Sequence, residues 1–389
     1  MKKKIFLIAG EKSGDLLGSK IIECLDRNLF EIGMVGGESM EKLGYRSLFP
    51  MEKLSIMGSF EVLPRLVDIL RKIEETAQFI VRTNQEMVLT IDSPDFCFRV
   101  MRRVRELDVT RKIVGGHLVA PSVWFYRASR AKKIAKLYDI LFCLLPFEPP
   151  YFEKYGLRTM FVGHPIFGRE SFEYSFNTGN CGIGSYRRNS KIISITPGSR
   201  KSEVKLLMPV VAKVVENIGE TFDLQYHILA TENTHDFIEK YLNARNIMNI
   251  AVEWEPEKKE KIIRSSLLAL AKSGTNALEI AAYAIPLVVM YKFGFLTNIL
   301  GTIYLKLKSG IRFVNLINIL GKREIIPEML LFNCRAANIA EKIIELVASE
   351  KLRAKQIEDN LKILEVLGYG RNNSPSRRIA SEIGRLLDV

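Results

Sequence analysis

One carboxylate follows an apolar run at a position where it could do chemistry. The run at 87–91 ends in Asp92, and Asp95 stands three residues later. A carboxylate at the end of a buried strand can take a proton from an attacking hydroxyl group, which is general-base catalysis. Asp92 could instead cap a helix or pair with Arg99 or Arg103. Asp95 suits the capping role better because it is closer to the helix that follows. The residues alone leave the role of Asp92 open.

A second polar loop, "IAGEKSGD", follows the first apolar run of the chain. Gly10 and Gly14 allow a tight backbone turn. Ser13 or Asp15 can cap the following helix, and Glu11 is expected to point into the turn. The loop does not match the GxGxxG fingerprint, so dinucleotide binding gains little support. A plain turn with a solvated Glu11 is an equally good interpretation.

The loop "PGSRKSEV" could bind phosphate. Ser199 and Arg200 stand just before a helix predicted to begin near Ser202. A helix start exposes unpaired N–H groups and partial positive charge, and an arginine beside it can add a bidentate contact. The alternative is a turn in which Ser199 or Ser202 only caps the helix.

The loop "KSGTNALE" has the same potential. Ser273, Gly274 and Thr275 lie between an apolar strand and a helix, and Glu279 follows one turn later. The hydroxyl and N–H groups can hold a diphosphate, and Glu279 could accept hydrogen bonds from ribose hydroxyls. Two such helix starts in one half of the chain favour a nucleoside diphosphate or a nucleotide-sugar.

These loops need strands to position them, and the pattern supplies strands in both halves. Short apolar runs alternate with amphipathic segments, which predicts parallel α/β architecture. The predicted strands are 5–10, 32–36, 87–92, 112–119, 140–145, 160–162, 192–196, 227–230, 251–254, 267–271 and 286–290. The predicted helices are 16–25, 62–82, 124–137, 202–218, 235–244, 257–264 and 276–284, with a helical tail from Cys334 that breaks at "GYGRNNSPS".

The expected domains are two Rossmann-like units. The first spans 1–170, a Gly- and Asn-rich linker spans 171–190, and the second spans 191–365. The final helix, 366–389, could return to the first unit. A ligand cleft is expected between the units, at the carboxyl ends of the strands.

Composition narrows the class of partner. The 389-residue chain carries a net charge of +13, so an anionic partner is expected. The basic stretches 99–111 and 127–136 lack interleaved aromatics and nucleic-acid motifs, which disfavours a nucleic-acid partner. The 5 cysteines show no CxxC spacing and the 4 histidines lie far apart, so buried thiols in a reducing compartment and no metal site are expected.

A membrane surface is another candidate partner. The apolar run after the basic amino terminus is too short for a signal peptide, and no run approaches the roughly 20 residues of a spanning helix. The segment 292–308 places apolar residues at helical spacing between lysines, which is typical of either an interfacial helix or a core helix. The segment 57–70 is a second candidate for membrane contact.

Taken together, the motifs resemble those of the lipid-A-disaccharide synthase family, inverting glycosyltransferases of the GT-B fold. The matching segments are "IAGEKSGDLLG", "LSIMGSFEVLPRL", "IDSPDF", "APSVW", "LLPFEPPYFEKYG", "FVGHP", "PGSRKSEV", "KSGTNALE" and "NILGKREIIPE". The chain departs from the family pattern at Phe125, Tyr126, Thr196 and Ile317, which bears on pocket shape rather than on the reaction.

The resemblance implies a reaction and a location. UDP-2,3-diacylglucosamine donates its sugar to the 6-hydroxyl of 2,3-diacylglucosamine 1-phosphate, giving a β-1,6-linked disaccharide 1-phosphate and UDP. Family members need no metal or other cofactor, and they are cytoplasmic and peripheral to the inner face of the inner membrane. A homodimer is an open option.

The resemblance also implies residue roles. Asp92 would be the general base, and Glu11 a second acidic residue near the acceptor. Arg200 would hold the UDP diphosphate together with neighbouring groups, and Glu279 would bind the ribose. The remaining substrate-binding candidates are Ser199, Ser273, Gly274, Thr275, Asn318, Gly10 and Ser13.

Three other functions fit parts of the pattern. A UDP-N-acetylglucosamine 2-epimerase shares the two-domain architecture but would not depend on lipid. A murein-precursor glycosyltransferase usually has a Gly-rich phosphate loop near the amino terminus, which "AGEKSGD" does not match. A membrane-binding protein without enzymatic activity would release no UDP.

Overall fold

The computed structural model describes residues 2–54, 62–124, 129–168, 190–219, 221–292, 313–370 and 374–389, with the backbone alone for 62–66. Residues 171–189 of the predicted linker (171–190) and residues 293–308 of the candidate interfacial segment (292–308) lie outside these ranges. So do residues 57–61 of the second candidate segment (57–70). The chain divides into two compact units, Met1–Arg169 with Arg371–Val389, and Glu170–Gly370.

The first unit is built on a 6-stranded parallel sheet in the order β2-β1-β3-β4-β5-β6. Its strands are β1 (Lys3–Ala9), β2 (Phe30–Val35), β3 (Met87–Ile91), β4 (Val114–Leu118), β5 (Ile140–Cys143) and β6 (Arg158–Phe161). Its helices are α1 (Lys12–Cys24), α2 (Glu38–Glu41), α3 (Val62–Arg82), α4 (Pro94–Leu107), α5 (Arg130–Ala135) and α6 (Pro149–Glu153). Short 3₁₀ turns lie at Met51–Leu54 and Pro165–Gly168.

Both faces of this sheet are buried, and β1 shows why its sequence is an unbroken apolar run. Ile5, Leu7 and Ala9 pack into one core cluster. Phe6 and Ile8 pack into the cluster on the opposite face. Because side chains alternate across a strand, a strand covered on both faces must be apolar at every position.

The second unit is built on another 6-stranded parallel sheet, in the order β12-β11-β10-β7-β8-β9. Its strands are β7 (Ile192–Thr196), β8 (Gln225–Leu229), β9 (Ile250–Glu253), β10 (Leu268–Lys272), β11 (Leu287–Tyr291) and β12 (Glu328–Leu330). Its helices are α7 (Lys201–Ile218), α8 (His235–Asn243), α9 (Pro256–Ser265), α10 (Thr275–Ala282), α11 (Leu316–Gly321), α12 (Ala336–Ala348) and α13 (Glu350–Val366), with a 3₁₀ turn at Leu331–Asn333.

The last helix, α14 (Pro375–Leu386), belongs to the first unit. Ile379 and Ile383 join the core cluster on the α1 side of the first sheet. Glu382, buried on this helix, pairs with Arg158 at the start of β6. The end of the chain is therefore held to the first sheet by both apolar packing and an ion pair.

The predicted fold class is confirmed: both halves are parallel α/β sheets packed against helices, and the tail is helical. The strand β12 was missed, and the helix predicted at 124–137 is shorter, since only Arg130–Ala135 is helical within its described part. Among the helices of the described ranges, none combines the length and apolar composition that crossing a bilayer requires.

Candidate functional site

The β1–α1 turn lies against the turn that follows β3. A Cβ atom on Gly10 would come within 2.5 Å of the Ser93 hydroxyl oxygen, so only glycine permits this approach. Because β1 and β3 are neighbouring parallel strands, their carboxyl ends meet at one edge of the sheet. The structure therefore brings the Glu11 and Asp92 loops together.

The prediction that Ser13 or Asp15 caps the helix after this loop is wrong. Helix α1 begins at Lys12, with Glu11 at the N-cap position and no side-chain capping bond. Ser13 is exposed in the first turn. The buried Asp15 accepts hydrogen bonds from the backbone N–H groups of Gly37, Ser39 and Met40 instead, at 2.8, 2.8 and 3.2 Å. Asp15 therefore caps α2, while the exposed Glu11 side chain stays available.

Asp92 follows β3 directly and has unusual backbone geometry. Its φ is +51°, and that of Ser93 is +43°. Left-handed conformations at consecutive non-glycine residues cost about 1–3 kcal/mol each and tend to occur at functional sites. The Asp92 N–H donates to the Leu118 carbonyl oxygen at 2.9 Å, which holds this turn to the end of β4.

The Asp92 side chain is partly exposed. Within the described ranges its carboxylate forms no hydrogen bond and no ion pair with Arg99 or Arg103; Arg103 pairs with Glu74 and Glu106 instead. Asp95 is not the N-cap of α4, because Ser93 stands at that position and makes no side-chain capping bond. The structure thus leaves a carboxylate available at the edge of the sheet.

A buried polar network that we did not predict lies next to the Asp92 turn. The Thr90 hydroxyl, two residues before Asp92, lies 2.7 Å from His117 Nδ1 and donates to the Tyr138 hydroxyl oxygen at 3.0 Å. Burial lowers the pKa of His117 to about 3, so the ring is neutral at physiological pH. The network ties β3 to β4 and contains no free charge.

A cavity of about 400 Å³ opens beside the two loops of the first unit. It combines polar and apolar lining. The residues are Gly10, Glu11, Leu54, Ile69, Ser93, Pro94, Asp95, Phe96 and Arg99. Its volume is in the range of small-molecule sites.

In the second unit, the β7–α7 turn wraps around Glu203. Gly198 has φ +121°, and a Cβ there would lie 2.6 Å from Glu203 Oε2. Helix α7 begins at Lys201 with the exposed Arg200 at its N-cap position. Neither Ser199 nor Ser202, the two caps considered from the sequence, occupies that position. An Arg200 guanidinium nitrogen lies 3.8 Å from Glu203 Oε1. Arg200 and the exposed Ser199 thus stand at a helix start.

The β10–α10 turn lies beside it, because β10 pairs with β7. Ser273 is buried, Gly274 has φ +147°, and Thr275 is exposed. The Asn276 amide donates to the Thr196 hydroxyl oxygen at 2.6 Å and so joins the two turns.

An ion pair across these turns, between Lys272 and Glu203 at 3.0 Å, was also not predicted. Glu203 stands at the third position of α7, which is a common location for acidic residues. That position was the one sequence feature that could have indicated a structural role for Glu203. The structure therefore brings Ser199, Arg200, Ser273, Gly274 and Thr275 together at two adjacent helix starts.

Glu279 lies in the second turn of α10 and is partly exposed. It influences Lys259: burial lowers the pKa of this amine, and the negative charge of Glu279 opposes that shift. Glu279 is thus a carboxylate with a cation nearby, on the helix that starts at the Gly274 turn.

Asn318 differs from the other candidates because its side chain is fully buried. Its amide nitrogen donates to the Ile326 carbonyl oxygen and to Glu328, both at 2.7 Å. Its amide oxygen accepts from the N–H groups of Ile325 and Ile326 at 2.7 and 2.9 Å. Its side chain holds the segment that leads into β12.

Within the described ranges, no group of three or more His, Cys, Asp or Glu side chains is placed to hold a metal ion.

Comparison with known proteins gives a family. The family model described as lipid-A-disaccharide synthetase matches residues 5–382. The lipid-A-disaccharide synthase of Rickettsia bellii (strain OSU 85-389) is 41% identical over 379 residues, which cover 96% of each chain. That of Rickettsia prowazekii (strain Madrid E) is 39% identical over 381 residues, which cover 96% of this chain and 97% of the relative.

Solved structures of low identity share the fold. A UDP-GlcNAc 2-epimerase from Neisseria meningitidis bound to UDP-GlcNAc has a TM-score of 0.61 at 15% identity, over 100% of both chains. MurG from Acinetobacter baumannii has a TM-score of 0.58 at 11% identity, over 99% of this chain and 100% of its own. These likenesses show a GT-B type fold and no more. The family model and the Rickettsia relatives go further, and the chain belongs to the lipid-A-disaccharide synthetase family.

Proposed function

We propose that this protein is a lipid-A-disaccharide synthase. It transfers the sugar of UDP-2,3-diacylglucosamine to the 6-hydroxyl of 2,3-diacylglucosamine 1-phosphate, forming a β-1,6-linked disaccharide 1-phosphate and UDP. The observation that carries this proposal is the family match over residues 5–382. The two loop clusters supply the chemistry that such a transfer needs.

The first unit acts on the acceptor. Asp92 is the general base that takes the proton of the 6-hydroxyl as its oxygen attacks the anomeric carbon. A partly exposed carboxylate without a partner in the described ranges supports this role, because its lone pairs are available to the hydroxyl. Glu11 lies on the adjoining turn and binds the acceptor, with Gly10 and Ser13 beside it.

The second unit holds the donor. The bond from the sugar to the diphosphate breaks as the new bond forms, so negative charge develops on the leaving UDP. The helix starts at Lys201 and Thr275, with Arg200, Ser199 and the Ser273–Thr275 turn, are suited to stabilising that charge. Glu279 binds the ribose. Inversion by direct displacement needs one base and this electrostatic clamp, without a covalent intermediate.

Asn318 takes a positioning role in this scheme. Its four hydrogen bonds within the chain leave its amide no free donor for a substrate. It holds the segment before β12 in place, and any influence on the donor passes through that segment.

The protein works at a membrane surface. A net charge of +13 favours an anionic bilayer, and both substrates carry acyl chains. We place it on the cytoplasmic face of the inner membrane as a peripheral protein. We assign acceptor binding to the first domain and donor binding to the second. We also propose that the protein is a homodimer, which sedimentation would test.

The experiment is incubation of the purified chain with both diacyl sugars in detergent, followed by mass spectrometry of the lipid product and measurement of released UDP. Formation of the disaccharide 1-phosphate with equal UDP supports the proposal. An epimerase would convert a UDP-sugar without a lipid acceptor, so UDP-N-acetylglucosamine alone is the matched control. No disaccharide under any detergent condition would refute the proposal.

A further inference from the structure

The cavity of the first unit has an uneven distribution of charge. Glu11 and Asp95 contribute carboxylates, and Arg99 contributes the cation among the described lining residues. Arg99 is exposed, and no hydrogen bond or ion pair engages its guanidinium within the described ranges. Such a guanidinium is suited to bind a phosphate or carboxylate through two parallel hydrogen bonds.

Asp95 and Arg99 lie on the same face of α4, one turn apart. Asp95 and Arg99 are four residues apart on α4, which is a rise of about 6 Å along the helix. Side chains on a helix lean toward its amino terminus, so Arg99 extends over the turn that contains Phe96 and toward the cavity. Glu11 and Ser93 also line the cavity, on the β1–α1 turn and the Asp92 turn.

The remaining lining is apolar. Leu54 and Ile69 are partly buried, and Phe96 is buried. An apolar wall beside hydrogen-bonding groups suits a ligand that has both a polar head and a hydrocarbon chain.

We propose that this cavity is the acceptor subsite and that Arg99 binds the 1-phosphate of the acceptor sugar. The inference rests on the proposed function. The acceptor has one phosphate, two free hydroxyls and acyl chains, and the cavity offers one cation, two carboxylates and an apolar wall. Carboxylates accept hydrogen bonds from hydroxyls and repel phosphate. The phosphate end is therefore directed to Arg99, which leaves the 6-hydroxyl toward Glu11 and the Asp92 turn.

The test compares two acceptors, 2,3-diacylglucosamine 1-phosphate and the same sugar without its phosphate. Arg99→Ala should raise KM for the phosphorylated acceptor by about 10- to 100-fold, the effect of losing a charged hydrogen-bonded contact. KM for the unphosphorylated acceptor should not change, and Arg99→Lys should restore part of the preference. Arg102→Ala is the matched control, since Arg102 is exposed on the same helix and is not part of the described cavity lining.

Three outcomes would overturn the inference. Arg99→Ala could behave like Arg102→Ala, or it could weaken both acceptors equally. It could also keep the acceptor preference while losing co-sedimentation with anionic phosphatidylglycerol vesicles, which would assign Arg99 to the bilayer. If the parent protein forms no disaccharide, the proposed function fails and this inference with it; if it does, failure of the Arg99 prediction affects the subsite alone.

Discussion

At the carboxyl edge of the first sheet the two candidate catalytic side chains, Glu11 and Asp92, are acidic, whereas at that of the second sheet the candidate diphosphate-binding side chains are basic or neutral. Glu11 and Asp92 stand on turns whose carboxylates make no hydrogen bond or ion pair within the described ranges. Arg200 stands on a helix start, and the neighbouring turn is held in place by the Lys272–Glu203 ion pair.

The difference fits the roles that we propose for the two units in the transfer reaction. The nucleophile must lose a proton, which requires an unpaired base, and a base that was already paired would be a poor acceptor. The leaving group gains negative charge, which requires donors fixed before the reaction starts. At the first sheet edge the candidate carboxylates are therefore unpaired within the described ranges, and the Asp92 backbone is strained. At the second sheet edge the Lys272–Glu203 ion pair stabilises the turns.

The largest expected effect comes from removing the free carboxylate. Asp92→Asn should lower kcat by about 10²–10⁴-fold, because the amide cannot take the proton of the acceptor hydroxyl. UDP affinity should not change. Steady-state kinetics and calorimetric UDP titration measure the two quantities. Glu106→Gln is the control and should retain activity, because Glu106 is exposed further along α4 and is not part of the described cavity lining. Near-normal turnover in Asp92→Asn would remove the contrast between the two edges.

The basic edge is tested by Arg200. Arg200→Ala should weaken UDP binding by about 10- to 100-fold, since a charged hydrogen-bonded contact to the diphosphate is lost. Arg200→Lys should lose less, because it keeps the charge but not the fork of donors. Lys213→Ala, further along α7, is the control. Equal UDP affinity in the parent and in Arg200→Ala would show that the diphosphate binds elsewhere.

The core strands could be predicted from the sequence because burial on both faces makes them continuous apolar runs, as in β1. The strand β12 escaped prediction because it has only 3 residues, too few for a period. Helix starts were placed within a few residues, but their caps were not. Asp15 illustrates the reason: its carboxylate binds a different helix, which only the tertiary fold brings near.

The position of the candidate site in the fold was predictable, but its detailed geometry was not. Polar residues after apolar runs identified the turns, and parallel pairing of β1 with β3 and of β7 with β10 brings them together. The left-handed backbone of Asp92 and the Thr90–His117–Tyr138 network depend on contacts between distant segments. No local pattern encodes them.

The third prediction tests whether Asn318 has a structural role or contacts the substrate directly. Asn318→Ala should lower the free energy of unfolding by about 2–4 kcal/mol, because it leaves the N–H groups of Ile325 and Ile326 without their Asn318 acceptor and removes one of the hydrogen bonds to Glu328. Asn318→Asp should be worse, since it sets a second carboxylate beside Glu328. Chemical denaturation measures both, with the exposed Asn333→Ala as control. An unchanged stability together with a raised donor KM would return Asn318 to direct substrate contact.

The smallest effect concerns a carboxylate of the first unit that is buried rather than free. Glu148 follows β5, is 3% exposed, and accepts a hydrogen bond from the Leu145 N–H at 3.0 Å. Burial raises its pKa to about 8, so it carries a proton in the folded state at neutral pH. Such an acid stabilises the fold fully below its unfolded pKa, and that stabilisation is lost as pH rises through the folded pKa.

Between pH 6.5 and 7.5 the folded state binds about one more proton than the unfolded state, so the free energy of unfolding should fall by about 1 kcal/mol from this group. Glu148→Gln, which cannot titrate, should remove that part of the slope in denaturation curves measured across the interval, whereas the exposed Glu153→Gln should keep it. An identical slope in the parent and in Glu148→Gln would mean that Glu148 is ionised in the folded protein, and the contrast between buried and free carboxylates at this edge would then be lost.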